Sequence, residues 1–167
     1  MKFFLAFCYL GFISLYAFFL GRGFAHLEFN PDVFPFKTAK FEKDGKIYEK
    51  FGIKHWKDKV PDMSKLFYKI VPPKKVQLNK IEELPKLINE TCIAELVHIS
   101  LSFMGFGCIG IWRSWGGLIM SILYFIGNIP FVMIQRYNRP RLQKLYHRCN
   151  INNTIIVEGE DDLNCAL

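Results

Sequence analysis

The chain has 167 residues, of which about half are hydrophobic, and a net charge of +7. The length suits one ordinary domain, but the apolar residues are concentrated in long runs on either side of a lysine-rich stretch. The basic residues match no nucleic-acid-binding motif, which excludes nucleic acid as the expected partner. Anionic lipid headgroups attract basic segments next to membrane spans, so membrane lipids are the expected partners.

The first apolar run predicts a transmembrane helix in residues 1–21. Phe3–Leu20 is eighteen residues without a charge, close to the roughly 20 apolar residues that span the hydrocarbon core. A secretory signal is the alternative, since Lys2 precedes the run. However, the run exceeds the roughly 7–15 residues of a signal core, and no small-x-small cleavage site follows it. We therefore predict an uncleaved anchor.

Two further runs predict a helical hairpin in residues 93–134. Ile93–Trp112 and Trp115–Ile134 are separated only by Arg113 and Ser114. The two tryptophans suit the headgroup level, where amphipathic rings commonly anchor. The fold class is therefore a mainly α membrane protein with about three transmembrane helices.

The distribution of charge predicts the orientation of a multi-pass protein of the cell membrane. Residues 22–90 carry fifteen Lys and Arg against ten Asp and Glu, residues 135–150 carry five against none, and the hairpin tip carries one. Basic segments resist translocation. We expect the N-terminus and the 112–117 tip outside, with the 22–90 segment and the C-terminus cytoplasmic.

The lysine-rich segment, residues 22–92, is expected to be cytoplasmic and interfacial. Asp44-Gly45 between short alternating stretches predicts a small β-hairpin. Residues 79–92 have helical spacing, which predicts an amphipathic helix leading into the second span, and Pro85 is an alternative start for it. In residues 135–167 a basic motif precedes an acidic tail, and the part after Pro140 predicts a short interfacial helix.

The five cysteines lack the close pairing of a zinc site, so no metal is expected. Their odd number and the predicted location favour reduced thiols. No tightly bound cofactor is expected either.

Glu95 and His98 are the first catalytic candidates. They lie three residues apart within an apolar run, hence on one face of a helix, and ionisable groups there usually face a bundle interior or a cavity. A carboxylate can orient an imidazole for acid–base catalysis. The alternative is that Glu95 pairs with a lysine at the interface and His98 only bridges helices.

Asn128 precedes Pro130 in the third run and has two interpretations. Proline leaves a backbone carbonyl without its hydrogen bond, and Asn128 could satisfy that carbonyl. It could instead donate to an oxyanion during catalysis.

The densest polar cluster follows the third run. Guanidinium groups suit phosphate oxygens, so we predict a donor-binding site, although a simple positive stop is the alternative. Its residues are Gln135, Arg136, Asn138, Arg139 and Arg141.

A second polar cluster lies in the lysine-rich segment. His55, Trp56 and Lys57 are expected to join the same binding site. Lysines that reach the headgroups beside a tryptophan explain this cluster equally well.

At these residues the chain resembles the glycosyl-4,4'-diaponeurosporenoate acyltransferase family. Three blocks carry the resemblance: Phe41–Phe51 with the following Lys54–Lys57, Ala94–His98, and Asn128–Pro130 continuing to Gln135–Leu142. The resemblance implies transfer of a fatty acyl group to a sugar hydroxyl on a glycosylated carotenoid or a similar lipid-soluble acceptor. The last block is the most specific of the three.

The resulting mechanistic hypothesis gives each candidate a role. His98, oriented by Glu95, deprotonates the acceptor hydroxyl, and Asn128 stabilises the oxyanion. The arginines hold the phosphates of acyl-CoA or of another activated acyl donor, which acts as co-substrate. A homo-oligomer is one way to enclose the site.

Two other functions remain open from the sequence. A membrane reductase or methyltransferase acting on an isoprenoid or steroid-like lipid would use similar residues. A non-catalytic membrane adaptor would need neither Glu95 nor His98.

Overall fold

The computed structural model describes residues 1–60 and 83–164, with side chains through residue 151. The predictions for residues 61–82 and for Cys165 lie outside this part of the chain. The α-helices are α1 (Lys2–Gly23), α2 (Ile53–Trp56), α3 (Leu84–Met104), α4 (Gly107–Ile111) and α5 (Trp115–Asn164). Short 3₁₀ helices cover Phe24–His26, Lys40–Glu42, Lys46–Phe51 and Lys57–Lys59.

Three stretches are long and apolar enough to cross a membrane: Lys2–His26, Leu84–Ile111 and Trp115–Ile151. This confirms the prediction of a mainly α protein with three transmembrane helices. Five phenylalanines of α1 are more than half exposed, as expected for side chains that meet lipid.

The first helix packs against the other two through small and branched side chains. Its buried residues Ala6, Leu10, Ile13 and Ala17 meet Leu101 and Cys108. A Cβ on Gly21 would lie 3.2 Å from the Val97 side chain. Small residues at such contacts let helix backbones approach closely, and packing of this kind holds membrane helices together.

The helices α3 and α5 run antiparallel, because residues early in α3 contact residues late in α5, and residues late in α3 contact residues early in α5. Thr91 contacts Arg139, and His98 contacts Asn128. Nearer the tip, Ser121 donates to the Gly105 carbonyl. The chain therefore turns back on itself at residues 112–114, between α4 and α5.

Two prolines in the chain behave differently from each other. Pro85 lies in the first turn of α3, so the helix starts there, at the alternative position that the sequence offered. Pro140 lies inside α5, which continues without a break to Asn164. The prediction of a separate interfacial helix after Pro140 is therefore wrong. The acidic tail continues the α5 backbone as far as Asn164.

The predicted β-hairpin around Asp44-Gly45 is also wrong. The described residues contain no strand, and the stretches on both sides of the turn are 3₁₀ helices. The turn itself is present, since Lys43, Asp44 and Gly45 all have positive φ. Glu42 explains the difference, because its buried side chain bonds across to Arg136 of α5. A contact with a distant helix thus outweighs the local strand pattern.

Gly45 gives the first prediction, because it touches α5 closely. A Cβ there would lie 3.1 Å from the Arg136 carbonyl oxygen and 3.2 Å from Tyr137 Cα, at φ +83°. Gly52 has φ +66° and nothing within 4 Å. Both Gly→Ala changes cost about 1–2 kcal/mol of left-handed strain. Gly45→Ala should cost a further ~1–3 kcal/mol, because the neighbouring backbone cannot move aside.

The two variants should be compared by unfolding in mixed detergent micelles. Equal losses of stability in Gly45→Ala and Gly52→Ala would contradict the close packing of this turn on α5.

Candidate active site

A fully buried carboxylate lies at one end of the α3–α5 pair. The Glu95 side chain has no exposed surface and binds two guanidinium groups from α5. Arg136 Nε donates to Oε1 at 2.6 Å, and Arg139 Nη2 donates to Oε2. Burial of a charge is tolerated when it is paired and hydrogen-bonded, and Glu95 meets both conditions.

Arg136 extends this network to the lysine-rich segment. Its Nη1 donates to Glu42 Oε1 at 2.8 Å, and its Nη2 donates to the Pro35 carbonyl at 2.8 Å. Each nitrogen of this guanidinium therefore has an oxygen partner, and the group links three parts of the chain.

Arg139 is saturated in the same way and only 1% exposed. Besides Glu95, its guanidinium donates to the Phe36 carbonyl and to the hydroxyl and carbonyl of Thr91, at distances of 2.6–3.1 Å. The predicted pairing with a donor phosphate is therefore wrong for Arg139, because its side chain is buried and its hydrogen bonds are satisfied within the protein.

The Glu42 carboxylate is held in its charged form. Burial raises its pKa, but hydrogen bonds from Tyr48, from Arg136 and from the backbone N–H of Ala39 outweigh burial and hold the pKa below its ordinary value. The pKa of Tyr48 is raised by burial and by its bond to Glu42, so the phenol stays protonated and keeps donating. Two carboxylates, Glu42 and Glu95, thus neutralise two arginines.

Basic and polar residues further along α5 also bind the lysine-rich segment. Arg141 Nη2 donates to Glu49 at 2.6 Å, Gln143 donates to Asp32, and Lys144 pairs with Asp44. These contacts hold residues 32–49 against residues 141–144 of α5.

One helical turn away from this network, His98 and Asn128 form a second polar pair. His98 Nδ1 lies 2.9 Å from Asn128 Oδ1, and the imidazole stacks on Phe131 with ring centroids 4.5 Å apart. Asn128 is buried, whereas His98 is half-buried. The expected pairing of Glu95 with His98 is replaced by this contact, because Glu95 is already bound to the two arginines.

The hydrogen bonds of Asn128 determine the tautomer of His98. Asn128 Nδ2 donates to the Tyr124 carbonyl at 2.9 Å, so its Oδ1 faces the imidazole. An amide oxygen only accepts, so His98 must donate from Nδ1. In the neutral ring, Nε2 then carries the lone pair and can accept a proton.

Asn128 does not satisfy the carbonyl that Pro130 leaves without a donor. That carbonyl belongs to residue 126, four positions before the proline, whereas Asn128 donates to residue 124. The side chain of Asn128 also donates towards the Tyr124 hydroxyl, so a contact with an oxyanion requires this second N–H to leave the phenol.

The other predicted residues divide into three groups. Gln135 and Asn138 are half-buried on α5, and their side chains have no hydrogen-bond partner within the described part of the chain. Lys57 approaches the Tyr137 ring at 5.9 Å, and Arg141 lies over that ring at 3.4 Å.

The remaining two residues of the second cluster do not join the site. His55 is exposed, and Trp56 Nε1 donates to the Phe51 carbonyl. The structure therefore brings Lys57 to α5 but leaves His55 and Trp56 in local positions.

Sequence reasoning missed four contributors: Glu42, Tyr48, Thr91 and Phe131. Thr91 could have been identified from the sequence, since it falls on the same helical face as Glu95. Glu42 and Tyr48 could not have been found from the sequence, because their stretch was interpreted only as a β-hairpin. Phe131 lies three residues after Asn128, a spacing that becomes informative only once His98 is known to face that helix.

The saturation of Arg139 gives the second prediction. Arg139→Gln should lower the free energy of unfolding by about 3–5 kcal/mol, because it leaves a buried carboxylate short of a partner. Arg141→Gln is the matched control, and it should cost less than about 1 kcal/mol because this side chain is 37% exposed. Both values can be measured by unfolding in mixed micelles. Similar stability of the two variants would contradict a structural role for Arg139.

Comparisons with known proteins cover the part of the chain that contains this site. A family model for glycosyl-4,4'-diaponeurosporenoate acyltransferase matches residues 34–148, which include most of the lysine-rich segment, α3 and most of α5. Relatives of that name from Staphylococcus aureus strains MRSA252 and N315 are 36% and 35% identical over 114 residues, 66% of this chain and 67% of each relative. No solved structure shows significant similarity. The chain belongs to the glycosyl-4,4'-diaponeurosporenoate acyltransferase family.

Proposed function

We propose that this chain is a membrane acyltransferase that moves a fatty acyl group onto a hydroxyl of a glycosylated carotenoid or a similar lipid. Membership of the family supports the reaction and the class of acceptor. The observation that carries the mechanism is the 2.9 Å contact between His98 Nδ1 and Asn128 Oδ1. It leaves the other imidazole nitrogen as a proton acceptor.

His98 is the general base in this mechanism. Its Nε2 takes the proton of the acceptor hydroxyl as the oxygen attacks the acyl carbonyl carbon. The imidazolium then gives the proton to the leaving group, so the base is restored at the end of the cycle. Asn128 holds the ring in the correct tautomer, the role that the sequence assigned to Glu95.

In this mechanism the second N–H of Asn128 turns from the Tyr124 hydroxyl to the oxyanion of the tetrahedral intermediate. The first N–H stays on the Tyr124 carbonyl and keeps the amide in place. Glu95 acts indirectly, because it binds the two arginines that hold α3 against α5.

The donor is acyl-CoA or another activated acyl donor, used as a co-substrate without a tightly bound cofactor. Arg136 and Arg139 are neutralised by Glu42 and Glu95, so they are poor partners for the phosphates of such a donor. Lys57 and Arg141 are better partners, since both contact the Tyr137 ring and are partly exposed, so a phosphate can compete with their surface carboxylates, Asp58 and Glu49. The apolar chains of donor and acceptor stay in the bilayer.

The third prediction tests the base. His98→Gln should lower the rate of acyl transfer about 10²–10⁴-fold, the usual contribution of general base catalysis, and Asn128→Leu should act in the same direction. Transfer is measured in membranes by mass spectrometry of a glycosylated carotenoid supplied with acyl-CoA.

His147→Gln is the matched control, because this exposed histidine lies on α5 far from the site. It should transfer at the wild-type rate. Normal insertion of the His98→Gln protein with an unchanged rate would exclude His98 as the base.

The proposed site is cytoplasmic. The basic residues after Gln135 and the lysine-rich segment are joined at one end of the molecule, whereas Arg113 lies at the opposite end. The excess of Lys and Arg at the joined end favours the cytoplasm for that end, and for the C-terminus with it. The N-terminus and the 112–117 tip then lie outside.

The fourth prediction tests this orientation. In intact cells a membrane-impermeant maleimide should label Arg113→Cys but not Lys144→Cys, and permeabilised cells should label both. The wild-type chain gives the background from its own cysteines. The reverse pattern of labelling would invert the proposed orientation.

A further inference from the structure

We propose that Gln135 and Asn138 form the subsite that binds hydroxyl groups of the acceptor headgroup, and that this subsite selects hydroxyl-rich acceptors over simple alcohols. The inference rests on the proposed function and assigns its acceptor side to particular residues. Four observations on α5 lead to it.

Gln135 and Asn138 continue the face of α5 that carries Asn128 and Phe131. Positions seven residues apart differ by about 20° around a helix, so Gln135 lies almost directly in line with Asn128. The separations along the axis are ~10 Å from Asn128 to Gln135 and ~15 Å to Asn138. A line of polar side chains thus runs along α5 from the His98 pair to Asn138.

The side chains of this face lean towards His98. In an α-helix the Cα–Cβ bonds tilt towards the N-terminus, which for α5 is the hairpin tip. The Gln135 amide therefore reaches back along the helix from its own Cα.

The amides are available for a ligand, in contrast to the neighbouring arginines. Arg136 and Arg139 have an oxygen partner on every guanidinium nitrogen. Within the described part of the chain no hydrogen bond engages the side chains of Gln135 and Asn138, although both are half-buried. Neither amide has a buried polar atom without a partner, so the unbonded groups reach the solvent and are accessible to a ligand.

The chemistry of these groups fits hydroxyls better than phosphates. A primary amide offers two donors and one accepting oxygen, and a hydroxyl both donates and accepts. A phosphate only accepts and is bound best by a cation, but the two nearest cations are neutralised by Glu42 and Glu95. A neutral polyhydroxylated headgroup is therefore the ligand class that this surface suits.

The test compares two acceptors with the same hydrocarbon chain, a long-chain alkyl glucoside and the corresponding fatty alcohol. In membranes supplied with acyl-CoA, Gln135→Leu and Asn138→Leu should each raise the KM for the glucoside about five- to tenfold, the loss of about one hydrogen bond. The kcat should change little, and transfer to the alcohol should be unaffected. His98→Gln should lower kcat for both acceptors.

Gln143→Leu is the matched control, since this amide lies on the same helix but is bound to Asp32. Its kinetics should match those of the wild type. Equal effects of Gln135→Leu on both acceptors, or a raised KM for the acyl-CoA alone, would overturn the assignment. Leucine favours a helix, so α5 should remain intact in these variants.

A direct binding measurement separates this inference from the proposed reaction. The alkyl glucoside is titrated into nanodisc-embedded protein. It should bind the double variant His98→Gln/Gln135→Leu more weakly than the single variant His98→Gln. If the wild type acylates neither acceptor, the proposed function fails, yet this loss of binding still supports the subsite. Unchanged binding overturns the subsite even if the wild type is an active acyltransferase.

Discussion

The rest of the structure depends on the neutralisation of one buried carboxylate, Glu95. A charge with no exposed surface needs close partners, and within the described residues α5 supplies them through Arg136 and Arg139. These guanidinium groups have further donors that must also be satisfied. Glu42 and the carbonyls of Pro35 and Phe36 satisfy them, so the lysine-rich segment is drawn onto the two helices by the same interaction. One buried charge therefore organises three parts of the chain.

This network also sets the register on which the proposed chemistry relies. Apolar surfaces give membrane helices little preference for one register, because lipid is as apolar as the side chains. The ion pairs remove that freedom, since a shift of α5 by one turn, about 5.4 Å, would take both arginines away from Glu95. With the register fixed, His98 meets Asn128 and Phe131 one turn further in. The arginines thus position the catalytic pair without contacting the substrate.

Hydropathy was enough to predict the three membrane helices, because the cost of exposing a polar backbone to lipid leaves few other solutions. The sequence also singled out Glu95, His98 and Asn128 as polar groups in apolar runs. The sequence did not reveal which side chains these three groups contact. Spacing on one helix favoured Glu95 with His98, but a guanidinium from another helix binds a carboxylate more strongly than a neutral imidazole does. The strand pattern around Asp44-Gly45 failed for a similar reason, since Glu42 is bound by Arg136, 94 residues away.

The family likeness and the structure divide the molecule in the same way. The matched residues, 34–148, contain every side chain of the ion network and of the His98 pair, while α1 lies before them. Contacts of α1 are mostly packing by small and branched side chains, supplemented by hydrogen bonds of Ser14 with Tyr124 and of Tyr9 with the Met104 carbonyl. Tyr124 also supplies the carbonyl that orients Asn128. The first helix therefore supports the turn of α5 that fixes the tautomer of His98. A different first helix that packs equally well would leave the proposed chemistry intact.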